Sequence, residues 1–119
     1  MSMKQIRYDT LGQLVYDSVP EGTSKALLYA ELEPGVALVS LFYEGDDKTY
    51  YVEPSKALFD EVEKLQEQFD SDVRAIEFEL IGEKFKTSFT YVEHFDDNAG
   101  DLGRREVVVK KHFGRSSVN

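Results

Sequence analysis

A chain of 119 residues is one domain by default, long enough to bury roughly two thirds of its unfolded surface with no staple. It contains no cysteine, which excludes a disulfide framework, a zinc–thiolate site and a thiol nucleophile. Twenty-three acidic residues against fourteen basic ones give a net charge of −9, a field that repels phosphate and argues against direct binding of nucleic acid.

No apolar run approaches the roughly 18 residues of a membrane span. The opening MSMKQIRYDT lacks the apolar core of a signal peptide, so a cytoplasmic protein is expected. Met3, Ile6, Thr10, Leu11, Leu14, Val15 and Ser18 recur at spacings of three and four, which predicts an amphipathic helix over residues 3–18. Gly12 weakens it by about 1 kcal/mol relative to Ala, so packing must hold it in place. Val19-Pro20-Glu21-Gly22 ends it, since Pro disfavours helix at the residue before it.

Ala26–Leu32 and Val36–Glu44 then flank Pro34-Gly35, the signature of a type II turn, and predict an antiparallel pair. The second segment is apolar on both faces over most of Val36–Tyr43 and is expected to be a central, doubly covered strand. Gly45-Asp46-Asp47 turns the chain, and Thr49–Val52 adds a short strand. Pro54 suits the first position of a helix, and Leu58, Val62, Leu65 and Phe69 form its apolar stripe.

The stretch VRAIEFELIGEKFKTSFTYV, residues 73–92, reads as two strands joined by Gly82-Glu83. The two-residue turn sets the register: Leu80 opposite Phe85, Phe78 opposite Thr87, Ile76 opposite Phe89, Glu79 opposite Lys86 and Glu77 opposite Ser88. One face is then apolar and needs a helix to cover it; the other is expected to be charged and wet. A mobile acidic loop follows over residues 93–103. In RREVVVKKHF, residues 104–113, the valines favour a strand, whereas Val107, Val108, Lys111 and His112 form one face of a helix. Residues 115–119 are a polar tail beyond a single domain spanning 1–114.

No metal, cofactor or catalytic constellation emerges. Counting back from Gly100, the loop EHFDDNAGD lacks two of the three early oxygen ligands of a calcium loop. The two histidines, His94 and His112, sit in no metal-binding spacing, and no serine lies in a nucleophile elbow. Glu44, Asp46, Asp47, Glu93, Asp96, Asp97 and Asp101 fall in turns beside predicted strands. They are either ordinary turn chemistry or one negative patch able to occupy the cationic groove of a nuclease.

In order, QLVYDSVPEGTSKALLYAEL, SLFYEGD, FDEVEKLQEQF, FKTSFTYV and GRREVVVKKHFG resemble the YezG-like immunity proteins, antitoxins of bacterial polymorphic toxin systems. The likeness spans about residues 5–114 and departs from the family pattern at Thr23 and Val108. It implies an α+β fold, with an antiparallel sheet of four to five strands against N-terminal, central and C-terminal helices. It also implies binding and stoichiometric inhibition of a cognate toxin domain, typically a nuclease and expected to be basic; the chain itself is expected to be a monomer or homodimer. Two alternatives stand beside it. One is a small-molecule-binding protein or enzyme with a helix–sheet pocket and His94 or His112 as base. The other is a dimeric adaptor pairing through the edge at Thr49–Val52.

Overall fold

Lys25–Glu33, strand β1, is the axis of the molecule: every residue from Ala26 to Leu32 is buried. In the computed structural model, which describes residues 6–46 and 48–114, β1 pairs antiparallel with β2 (Val36–Glu44) on one side. On the other it pairs with β4 (Val73–Ile81). Strands β3 (Thr49–Val52) and β5 (Lys84–Tyr91) complete a five-stranded sheet in the order β3-β2-β1-β4-β5. Helices α1 (Asp9–Ser18) and α2 (Lys56–Gln66) cover one face, and α3 (Asp101–Phe113) crosses the other. The chain is therefore an α+β domain with an antiparallel sheet between two helical layers. No helix among the described residues is long and apolar enough to cross a membrane.

Strand parity explains the layers, since alternate side chains point to opposite faces. Ala26, Leu28, Ala30 and Leu32 join Leu41, Ile76, Phe78 and Leu80 beneath Leu11, Val15, Leu58, Val62 and Leu65. Leu27, Tyr29, Phe42 and Ala75 meet Val108, Val109 and Phe113 on the other side. The second core is the smaller, so polar contacts carry more of the attachment of α3.

The β4–β5 register follows the alternation, from Leu80 opposite Phe85 to Ile76 opposite Phe89. Gly82 takes φ 62° in the turn and Gly35 takes φ 75° after Pro34, conformations that glycine adopts without a steric penalty.

Four expectations need correcting. The first helix begins at Asp9: Tyr8 has φ −113° and ψ 11°, outside the helical region, while Ile6 packs on the core without being helical. Met3 lies outside the described residues. In the second helix Ser55, not Pro54, makes the start, its Oγ accepting the Leu58 N–H at 3.2 Å. Phe69 lies beyond the last turn and still packs on the core. Strand β2 lies inside the sheet between β3 and β1, but it is buried only over Val39–Phe42, while Val36 and Leu38 are about half exposed. Finally, the charged face of β4 is not wet: Glu77 is buried, because α3 lies over it. The segment 104–113, open between helix and strand, is helix α3. The tail 115–119 lies outside the described residues.

Candidate functional site

Helix α3 brings its cations to the three glutamates that β1 and β4 point at it. Its spacing sets the contacts, because Arg104, Val108 and Lys111 or His112 recur every three or four residues along one face. At its first turn, Arg104 donates from Nε and Nη2 to the two oxygens of Glu31 at 2.6 and 2.9 Å. The Tyr29 hydroxyl donates to the same carboxylate at 2.7 Å. Burial pushes the Glu31 carboxyl up, but the donated hydrogen bonds from Arg104 and Tyr29 outweigh it and hold it below the usual range. Burial and the bond to Glu31 push the Tyr29 phenol well up.

At its last turn, His112 lies between two carboxylates, Nε2 at 2.7 Å from Glu77 and Nδ1 at 2.8 Å from Glu79. Lys111 Nζ adds a bond to Glu77 at 2.9 Å. The hydrogen bond to Glu77 is the largest reason the His112 pKa is raised, with Glu79 adding to it against the cost of burial. Burial raises Glu77, yet His112 and Lys111 bring it below its ordinary value. The imidazole is thus held as a cation whose two N–H groups both donate, leaving no lone pair to take a substrate proton. Lys25 donates to the His112 carbonyl at 2.8 Å, satisfying one of the open carbonyls at the helix end.

The acidic loop is tied into this layer. Phe95 lies under both Arg74 and Arg104, whose guanidinium carbons are 4.3 and 4.4 Å from its ring centroid. Asp96 accepts from the backbone N–H groups of Asn98 and Ala99, and Arg104 also bonds the carbonyls of Asp96 and Ala99. Asp97 pairs with Arg74 at 3.5 Å and Asp101 with Arg105 at 3.9 Å. These contacts tie the loop to α3 and to Arg74. A cavity of about 230 Å³ remains beside it, lined by Tyr29, Glu77, Phe95, Arg104 and Lys111. His94 is exposed and lies 3.9 Å from Glu93.

The structure does not gather the acidic turn residues into one patch. Glu44 and Asp46 stand at the end of the sheet where β1 begins, since Ala26 pairs with Tyr43. Glu93, Asp96 and Asp97 follow β5 and stand at the opposite end, because Val73 pairs with Tyr91. Asp101 opens α3 there. Asp47 lies outside the described residues. Two acids outside the expected set, Asp70 and Asp72, join the second group: Asp72 accepts the Val92 N–H at 2.8 Å through its carbonyl. Their signal was present in the sequence as the acidic continuation of α2.

The broader electrostatic pattern is a separation by layer. Residues 53–72, which include α2, hold seven acidic side chains against two lysines. Residues 101–114, which include α3, hold two acids against four Lys and Arg. A scan against protein-family models gives no match for this chain, and a search of curated proteins gives none either.

Proposed function

We propose that the chain is a stoichiometric inhibitor of a basic toxin domain, an immunity protein of the YezG-like kind, acting through negative surface rather than chemistry of its own. The observation that carries this reading is the uneven charge: the α2 layer is strongly acidic, while the cations of α3 are largely spent on the sheet. A field of one sign on one side steers a basic partner to that side and sets its orientation. The acidic end formed by Asp70, Asp72, Glu93, Asp96 and Asp97 continues that surface. The likeness to immunity proteins supplies the partner class, a nuclease whose phosphate groove is cationic.

The test uses the toxin domain encoded beside this gene. Mixing should give a 1:1 complex and abolish nuclease activity at equimolar inhibitor. Reversing Glu67 and Asp70 to Lys, or Glu93 and Asp97 to Lys, should slow association by about tenfold at low salt and weaken its salt dependence. Reversing Glu44 and Asp46, at the far end, should change it little. A nuclease that keeps full activity in excess inhibitor overturns the reading.

A further inference from the structure

We propose that the free edge of β5 is a self-association surface, along which a second copy of this chain pairs antiparallel to make one continuous ten-stranded sheet from the two five-stranded ones. β5 is an edge strand of eight residues, twice the length of β3 at the other edge. The two-residue turn makes Ile81 and Lys84 a hydrogen-bonded pair, and bonded and non-bonded pairs alternate from there. The backbone N–H and C=O groups of Phe85, Thr87 and Phe89 therefore point away from β4. Among the described residues, no other group bonds to that edge. A long unpaired edge is a template for another strand.

Charge selects a second copy of the chain as the occupant. Nearly every other exposed stretch of a −9 molecule carries acids that repel a copy, whereas β5 carries Lys84 and Lys86 and no acid. Centred on Thr87, antiparallel pairing sets Phe85 opposite Phe89 of the second copy, Lys84 opposite its Thr90 and Lys86 opposite its Ser88. Pairing sends the two Lys84 side chains toward opposite ends, while each Lys86 stands one residue from the axis, directly opposite Ser88 and diagonal to the Lys86 of the copy at about 7–8 Å. An interface of this kind is self-complementary about a two-fold axis, the commonest symmetry of homodimers.

Two grooves on the α1 side of the edge fit the same register. One, of about 470 Å³, runs beside Phe85 between Gly12, Tyr16 and Leu80. The other, of about 340 Å³, runs beside Phe89 and Tyr91 between Ile6, Phe69 and Val73. Phe85 is 42% exposed in the single chain. Pairing sets the Phe89 ring of the copy against it and closes both grooves with aromatic surface. A two-fold axis perpendicular to the sheet places both α2 layers on one side. Their mutual repulsion makes association tighten as salt rises.

Sedimentation equilibrium and an engineered cross-link test this together. The wild-type chain should show a concentration-dependent dimer that strengthens with added salt. Thr87→Pro removes only an outward N–H, keeps the β4–β5 ladder and should weaken the dimer at least about tenfold, while the circular dichroism melt stays native-like. Thr87→Lys puts two cations on the axis and should do the same. Because the chain has no cysteine of its own, Thr87→Cys should give a covalent dimer under mild oxidation, and Lys56→Cys on α2 should not. A monomer at every concentration overturns the proposal. So does a dimer indifferent to Thr87→Pro, or a cross-link that forms in the Lys56→Cys variant and not in the Thr87→Cys variant.

Discussion

Removing the His112 side chain should strongly destabilise the α3 side of the sheet. In His112→Ala, Glu77 keeps Lys111, but Glu79 loses its one described hydrogen bond while its side chain is only 14% exposed. Breaking a buried pair by taking one partner away costs about 3–5 kcal/mol, and partial exposure here places the expected loss near ~3 kcal/mol. For a domain of this size that lowers the melting temperature by on the order of 10 °C. Substituting Glu79→Gln as well removes the stranded charge, so the double variant should recover about 1–2 kcal/mol relative to additivity.

The pH dependence has a definite sign. A raised His112 pKa contributes stability that is fully present below its ordinary value of 6.5 and is lost as pH rises through the raised one. A lowered Glu77 pKa contributes stability present above 4.5 and lost as pH falls through the lowered one. The α3 attachment is therefore tightest between about 4.5 and 6.5. Urea unfolding across pH reads this directly, and His112→Ala should flatten the alkaline limb. A loss under ~1 kcal/mol, with no coupling to Glu79 and an unchanged pH profile, refutes the argument.

Other substitutions test local points. A Cβ at Gly12 would lie 3.6 Å from Phe78 and 3.8 Å from Phe85, ordinary contact distances, so Gly12→Ala should stabilise α1 by about 0.5–1 kcal/mol in urea melts. Gly45→Ala should do the reverse: its Cβ would collide with the Tyr50 ring, which stacks on Tyr43 at 5.2 Å, for a cost of about 1–3 kcal/mol and a changed near-ultraviolet dichroism. Ser55→Ala removes the α2 cap and should cost about 1 kcal/mol, while Ser55→Asp should restore most of it.

The hairpin over residues 73–92 was legible because a two-residue turn leaves one register and the apolar alternation agrees with it. The stripe of α2 was legible for the same reason, one period repeated without conflict. What stayed hidden was the fate of Glu77 and Glu79. In a single strand an alternating carboxylate looks the same whether water or an arginine-rich helix lies above it. The clue was divided between distant segments: Glu31, Glu77 and Glu79 on one side, and Arg104, Lys111 and His112 at helical spacing on the other. Valine propensity obscured the second half by making 104–113 resemble a strand. The acidic turns misled differently, because sequence order does not tell which end of the sheet a turn occupies until strand order is known.

The seam between β1 and β4 has a kinetic consequence. β1–β2–β3 is a meander and β4–β5 a hairpin, each closed by short turns, whereas the seam joins segments separated by two strands and a helix. Local pieces form early and distant pairings late, since a long intervening loop must first be immobilised. Substitutions in either turn, which forms early, should therefore chiefly slow refolding, while those at Leu28 or Phe78, which meet across the late seam, should chiefly hasten unfolding.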